Sequence, residues 1–442
     1  MNNAQLRQHA LGIFHAGIAA ANPYLAVKRH FESSPISFST YHKVHVIAFG
    51  KAACAMANAA QERIPAALLG ESLVVTNYEN VTTVPHVDVI GASHPLPDTQ
   101  GFDAAKKILT LAQNAKQDEL VLTLISGGGS ALIPYPVAGV TLEEKIITTN
   151  LLLSCGATIH EMNCVRKHLS QIKGGGLVKF INPATCYTLI LSDVLDDDLS
   201  VIASGTTVCD NTTFTDAIRI LKSKAIWDLL PESIKLHLMQ GEQGVIAETP
   251  KMNDPIFHNV TNCLIGSNMV SVNAMQDAAQ SLKYQVILYQ HPLCGEARDV
   301  AAQWVSWLKN EIPRYVDNAS VKRIAFLTGG ETTVTLRGRG RGGRNQEMAL
   351  AFAMAAQEQA FDGKWIFLSG GSDGIDGTSP AAGGIVDANT LSRICAMQLN
   401  PRDLLDDNNS YCALKAAGDL LLTGATGTNV ADLQIVLFET DA

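Results

Sequence analysis

The chain has 442 residues, 47% of them hydrophobic, and a formal net charge of −9. That length exceeds one ordinary core and predicts two α/β domains, while the acidic balance argues against a general nucleic-acid binder and favours small anionic ligands for any local cluster of arginines. Nine cysteines, an odd number with no C-x-x-C pair, suit a reducing cytoplasm and offer no zinc site.

In chain order, Leu11–Ala21 is apolar and imitates a signal peptide, but His15 interrupts it. Leu6, Ala10, Ile13 and Gly17 fall on one helical stripe, so the reading is an amphipathic first helix ending before Pro23. Val44–Phe49 has the continuous apolar character of a buried parallel strand and runs into Gly50, Lys51 and an alanine-rich helix. Lys51 thus stands at the carboxyl end of a strand, the edge where open α/β sheets collect ligands; a lysine capping a surface turn is the plainer alternative. Strands at Leu73–Thr76 and Val87–Ile90 lead to a turn, Ser93–Asp98, in which His94 reads as structural.

Leu120–Ile125 passes straight into Ser126, Gly127, Gly128, Gly129 and Ser130. This is either a tight packing turn or a phosphate cradle of backbone donors and two hydroxyls, without the lysine of a Walker loop. The uncharged run 120–142 has the length of a membrane span, yet the glycines, Pro134 and Pro136 would break any helix in it, so no membrane segment is expected. Thr141 and Glu144 spell a capping box that opens a helix through Leu153. Asn163–Leu177 gathers Arg166, Lys167, His168 and Lys173, which read as a solvated helix face or, alternatively, a second anion contact. Tyr187–Ser192 is a further buried strand and delivers Asp193 to its carboxyl end, a residue type suited to Mg²⁺ or to general-base work. Asp196, Asp197 and Asp198 read as loop residues, and Ser204, Gly205 and Thr206 again set hydroxyls beside a glycine.

Glycines and prolines spaced from Pro231 to Asn259 read as a linker, giving domains at 1–235 and 259–442 with 236–258 between them. In the second domain the stretch Thr328–Leu350 dominates. A β-rich run passes into glycines with Arg337, Arg339, Arg341 and Arg344, and a helix begins near Asn345, an arrangement suited to holding phosphate or carboxylate. Glu331, Asp373 and Asp376 lie at strand ends, as ligands or as caps. With Thr332, Arg341 and Asn345, the first two of these acids form the candidate nucleotide- or substrate-binding set of this half. Gly338, Gly340 and Gly343 also satisfy G-x-G-x-x-G, so a nicotinamide enzyme stays open, although Glu358 falls in the helical run and not at a second strand end. The two sets of strand ends are expected to enclose a cleft between the domains.

Several blocks then carry a resemblance over nearly the whole chain: FGKAA at Phe49–Ala53, SGGGSAL at Ser126–Leu132, VRKHLS with KGGGL, and LSDV at Leu191–Val194. GGETTVT followed by GRGGRNQE, then SDGIDG, and TGTNVADL at Thr426–Leu433 complete it. The sequence resembles the class II glycerate kinases, the family with a C-terminal MOFRL domain. That resemblance implies an α/β fold with an N-terminal Rossmann-like parallel sheet, a smaller C-terminal α/β domain and the active site in the cleft between them. It implies ATP-dependent phosphorylation of D-glycerate to 2-phosphoglycerate, or else 3-phosphoglycerate, with Mg²⁺, in a cytoplasmic monomer or homodimer. Lys51, Asp193 and Arg344 would be the catalytic polar residues, and the turn from Ser126 would bind phosphate or substrate. Some members carry the label hydroxypyruvate reductase, which sets an NAD(P)H-dependent reductase as the alternative. The chain departs from the pattern at Asp196, where glycine is usual, and at Thr206, Thr378 and Ala425, where proline is expected.

Overall fold

The computed structural model describes residues 2–316 and 322–440. It divides into two compact units, Pro23–Ile265, and Met1–Asn22 together with Gly266–Ala442.

The unit Pro23–Ile265 is built on six strands: β1 (Val44–Phe49), β2 (Leu69–Asn77), β3 (Asp88–Ala92), β4 (Leu120–Ile125), β5 (Thr185–Leu191) and β6 (Val260–Gly266). Their order across the sheet is β3-β2-β1-β4-β5-β6, and the pairings from β3 through β5 are parallel. Every residue of β1 and β4 is buried, which is why these two strands read as unbroken apolar runs. The order reverses between β1 and β4, because the chain moves outward to β2 and β3 and returns to the other side of β1. Ligands of such sheets bind outside the carboxyl ends of the strands at that reversal. Register reinforces the point: Phe49 pairs with Val75 and Ile125, and Ile125 pairs with Ile190. The segments after β1, β4 and β5 therefore leave the sheet at one level.

Helices Thr99–Asn114 and Gly176–Ile181 bring Ile108, Leu111, Leu177 and Ile181 into one core with Ile47, Phe49 and Ile190. A second, helical core joins Leu152, Val165, Phe214, Ile218, Ile234 and Leu238. The expected linker is part of it. Residues 236–258 include most of the helix Glu232–Glu242, Glu248 accepts from the Phe214 N–H at 2.9 Å, and Pro250 O accepts from the Asp210 N–H at 2.9 Å. The glycines and prolines here serve close packing: a side chain at Gly241 would sit 2.3 Å from the Phe214 ring.

The other unit holds a seven-stranded mixed sheet of β7 (Gln285–Leu288), β8 (Leu293–Glu296), β9 (Arg323–Thr333), β10 (Lys364–Gly371), β11 (Gly383–Asp387), β12 (Leu420–Leu421) and β13 (Asp432–Glu439). The order is β12-β11-β10-β13-β9-β7, with β8 also on β9; β7 and β8 run parallel to β9 and the other pairings are antiparallel. The helix Arg344–Glu358 is buried continuously from Asn345 to Ala356; from Met348 to Ala356 it is apolar all round, and the polar Asn345, Gln346 and Glu347 are buried with partners. Phe352 stacks on Phe367 at 4.1 Å between ring centroids.

The first helix, Asn3–Ala20, has the expected stripe, and it belongs to this unit and not to the domain 1–235. Leu6, Ala10, Ile13 and Phe14 share a core with Leu327, Ile366, Leu433 and Ile435, and Arg7 pairs with Asp387 and Asp419. Among the described residues no single helix is long and apolar enough to cross a membrane. The uncharged run 120–142 is β4, the glycine turn and the short helix Gly129–Leu132.

Candidate active site

At the carboxyl edge of the first sheet, the segment after β1 is sewn to the one after β4. The Lys51 N–H donates to Gly127 O at 2.9 Å, and the Ala52 N–H donates to Ser126 Oγ at 3.0 Å. Gly50 makes this approach possible: its φ is +124°, and a Cβ there would fall 2.2 Å from Ser126 Oγ. The segment after β5 closes on the same turn, since a Cβ at Gly127 would lie 2.0 Å from Asp193 Oδ2. A Cβ at Gly128 would lie 3.1 Å from His94 Cδ2 and 3.3 Å from Lys51 Cγ. Lys51, Asp193, His94 and the turn from Ser126 to Gly129 are thus one cluster.

Its electrostatics suit proton transfer. Burial pushes the Asp193 carboxyl above the usual carboxylate range, while its own backbone N–H and the Lys51 charge pull the other way. His94 is held low, first by burial and then by Lys51. A carboxylate raised by burial beside a fixed cation is the environment in which a general base is found. His94, read from sequence as structural, lies within this cluster.

Ser130 ends the turn and faces a second cluster. Its Oγ accepts from Arg166 Nη2 at 2.7 Å and from Lys173 Nζ at 2.6 Å, and it bonds Ser204 Oγ at 2.9 Å. Ser204 in turn donates to Asn163 Oδ1 at 2.9 Å. Ala203, Ser204 and Gly205 are three consecutive left-handed residues, a local strain that holds the Ser204 hydroxyl on Ser130. The Gly205 carbonyl accepts from the Gly175 N–H at 2.8 Å, so the KGGGL block packs on this bend.

The expectation of a solvated basic face over Asn163–Leu177 is overturned: Lys167, His168 and Lys173 are all buried. Lys167 pairs with Asp210 and His168 contacts Glu248, whereas among the described residues Lys173 Nζ bonds only Ser130. Sequence reading missed Lys145 and Asn163 altogether. The capping box announced the helix carrying Lys145, but nothing in it told which way the lysine faces.

In the other unit, Arg344 donates from Nε to Asp432 Oδ2 at 2.6 Å and from Nη2 to Asp432 Oδ1 at 3.0 Å, and its Nη1 lies 2.9 Å from Glu331 Oε1. Burial opposes the charge on Asp432, and the bidentate pair offsets that cost only in part, so its carboxyl stays above the ordinary range. Burial likewise works against the guanidinium, but the bonds and charges of Asp432 and Glu331 outweigh it and hold its pKa above the ordinary value. Asp432 was not singled out from sequence, although it stands in the quoted TGTNVADL block.

The glycine-arginine loop differs from the anion cradle expected of it. The donors at the start of helix Arg344–Glu358 already have an acid, for Asp376 accepts from the N–H groups of Asn345 at 3.1 Å and Gln346 at 2.9 Å. Asn345 also bonds Ser369 Oγ through its side-chain oxygen at 2.6 Å. The backbone donors of Arg337 and Gly338 go to Asn408, that of Arg339 to Asp407 and that of Arg341 to Asn409. A dinucleotide would find these donors committed, and Glu358 lies in the helix, as the sequence indicated. Arg341 donates to Thr378 O and lies over the Tyr411 ring at 4.7 Å.

Asp373 accepts from the Ile375 N–H at 3.0 Å in a turn. Thr332 is buried, with no hydrogen-bond partner for its hydroxyl among the described residues. Of the pattern-departing positions, Thr206 is buried and likewise unpartnered at Oγ1, while Asp196, Thr378 and Ala425 are exposed. Among the described residues no group of three or more His, Cys, Asp or Glu side chains is arranged to hold a metal.

A parallel sheet with the Rossmann order and an acid-lysine-glycine cluster at its switch point define an α/β enzyme handling phosphate. Residues 9–239 match the family described as "Domain of unknown function (DUF4147)", and residues 324–432 match the MOFRL family. The chain is 40% identical to the glycerate 2-kinase of Pyrococcus horikoshii, over 98% of this chain and 97% of that protein. It is 34% identical to the rat (Rattus norvegicus) glycerate kinase, over 98% of this chain and 93% of that one. The crystal structure of a glycerate kinase from Thermotoga maritima superposes with a TM-score of 0.89 at 38% identity, covering 98% of this chain and 100% of that one. The chain belongs to the glycerate kinase family whose members carry a C-terminal MOFRL domain.

Proposed function

We infer that the chain is an ATP-dependent glycerate kinase, and we propose that it transfers the γ-phosphoryl group of ATP to the 2-hydroxyl of D-glycerate. The observation that carries the reading is the Asp193–Lys51 cluster over the Ser126–Gly129 turn, in a chain related over its full length to glycerate 2-kinases. Phosphoryl transfer asks the protein for positioning and charge more than for covalent chemistry. Asp193 takes the proton of the acceptor hydroxyl as its oxygen bonds to the γ-phosphorus and the bond to the bridging oxygen of ADP breaks. Lys51 neutralises the charge that spreads over the transferring group.

Arg344 has three of its guanidinium N–H groups committed to Asp432 and Glu331, which leaves a rigidly held cation whose remaining donors suit phosphate oxygens. Mg²⁺ fits this residue set in one manner only. It keeps water and phosphate oxygens as most of its ligands and needs one or two carboxylates, so Asp193 is the residue that would hold it. The ion would supply further neutralisation of the phosphates. We place the enzyme in the cytoplasm, as a monomer or homodimer; the nine cysteines are free, as reducing surroundings require.

The test is proton-coupled phosphorus NMR of the product from D-glycerate, Mg-ATP and pure protein, with hydroxypyruvate and NADH or NADPH followed optically in parallel. The expected product signal is a phosphomonoester doublet, from the single proton on the carbon bearing the 2-oxygen. A triplet would move the reaction to the 3-hydroxyl. Nicotinamide oxidation without a phosphoester would overturn the kinase reading.

A further inference from the structure

The cluster around Ser130 is rich in donors that meet neutral partners or none among the described residues. Lys145 is 5% exposed, and its Nζ has no hydrogen-bond partner among the described residues. Lys173 is 1% exposed, and the partners of its Nζ, Ser130 O and Oγ, are both neutral. Arg166 Nη2 also ends on Ser130 Oγ, and among the described residues its Nε is buried without a partner, as is Nδ2 of Asn163. Among the described residues no carboxylate pairs with Lys145, Arg166 or Lys173, although the adjacent Lys167 does have one in Asp210.

Buried cations are ordinarily paired, because an isolated one costs several kcal/mol of lost hydration; a cluster of three without an acid is kept for something that is not part of the chain. Electrostatics agree with the geometry. Burial lowers the Lys145 pKa to about 7, with Arg166 adding to the effect. Lys173 is pushed down by burial and then by both neighbouring cations. A site made of donors alone selects an acceptor-only group.

We propose that Lys145, Arg166 and Lys173, with Ser130, Ser204 and Asn163, form a binding site for a small oxyanion, either the carboxylate of the acceptor or a phosphate of the nucleotide. The choice between those two sources rests on the kinase reading, whereas the preference for an oxyanion does not. Ser130 belongs both to this site and to the turn that carries Ser126–Gly129, so an anion bound here would be tethered to the loop under Asp193.

Calorimetric titration of the full chain with inorganic phosphate, D-glycerate and a non-hydrolysable ATP analogue tests the assignment, in the wild type and in Lys145→Met and Lys173→Met. Either variant should weaken phosphate binding by at least about thirtyfold, the scale of removing one buried, hydrogen-bonded charge from an ion contact. Lys145→Met should at the same time melt higher than the wild type without ligand, because a lysine whose charged form burial opposes has been removed. Loss of D-glycerate binding with the ATP analogue unaffected identifies the acceptor carboxylate as the source, and the converse identifies a nucleotide phosphate. Wild-type phosphate affinity in both variants would overturn the proposal, as would a lower ligand-free melting temperature in Lys145→Met. Phosphate binding needs no turnover, so a protein that binds phosphate through these lysines yet makes no phosphoglycerate would keep this site and lose the kinase reading.

Discussion

Replacing Arg344 by alanine perturbs more than a candidate phosphate contact, because it strips the partner from a fully buried acid. Asp432 is 0% exposed and takes two of its bonds from Arg344. Removing one member of a buried pair costs about 3–5 kcal/mol; the Arg344 side chain is 35% exposed, so water entering its place reduces the loss to roughly 2–3 kcal/mol. For a unit of this size that corresponds to a melting temperature lower by about 5–10 °C. The loss should depend on pH. Without the guanidinium, burial leaves Asp432 with a folded-state pKa above its unfolded value, so stability is retained in acid and falls as pH rises through the folded-state pKa. Arg344→Ala should therefore lie closer to the wild type at pH 5 than at pH 8. Arg344→Ala with Asp432→Asn should recover much of the deficit at pH 8, and differential scanning calorimetry of the wild type, each single variant and the double variant reads it directly. A single variant within 1–2 °C of the wild type at pH 8 (~0.5 kcal/mol), or a double variant no better than the single, would show that the pair does not hold Asp432 in place.

Asp193→Asn should lower kcat by at least about a hundredfold if Asp193 is the base, yet leave stability at pH 7 unchanged or raised, because burial opposes the carboxylate in the folded state. In the wild type, kcat/KM should fall on acidification with an inflection above the ordinary aspartate value, as the base becomes protonated; a pH-rate profile flat from 4 to 8 (about the span around an ordinary carboxylate pKa) would remove Asp193 from that role. Lys51→Ala should cost about a hundredfold or more in kcat, the scale of losing a preorganised charge, and steady-state kinetics showing near-normal turnover would exclude it from the mechanism.

What the sequence shows of this protein follows the range of the interactions involved. Val44–Phe49 and Leu120–Ile125 are legible because burial on both faces demands near-continuous apolar residues, and their following glycines mark the ligand edge without help from distant parts of the chain; the strand ending at Leu191 is marked by its apolar end and by Asp193 just beyond it. The amphipathic first helix is legible for the same reason, but its destination is not: only the fold shows that Gly17 meets Leu433 and Met275, far along the chain. Residues 236–258 read as a linker because glycine and proline carry one signal for exposed turns and for close packing, and Gly241 against Phe214 is the second kind. The mixed directions in the second sheet were hidden for a similar reason, since β13 reaches its neighbours β9 and β10 only after the whole domain has been traversed.

The arginines show how charge misleads when it is counted along the chain and not across it. Arg344 stood out among four arginines in a glycine loop, an apparent excess of positive charge. Its acids, Glu331 and Asp432, come from the two adjacent strands β9 and β13, so the excess at this position vanishes in the folded unit. Lys145, Arg166 and Lys173 are the opposite case. Scattered over two helices and a turn, Arg166 and Lys173 read as a solvated face or a second anion contact and Lys145 drew no attention, yet the fold gathers all three into the interior with no acid paired to them among the described residues. A guanidinium already neutralised by two carboxylates is held rigid but has little net attraction left to give an anion. Lys145, Arg166 and Lys173, which meet no carboxylate among the described residues, have that attraction to give, and an arriving anion would favour the charged forms of the lysines that burial alone opposes. On the proposed assignment the residues around Ser130 draw the oxyanion in, and Arg344 is better suited to fixing the direction of a bound phosphate.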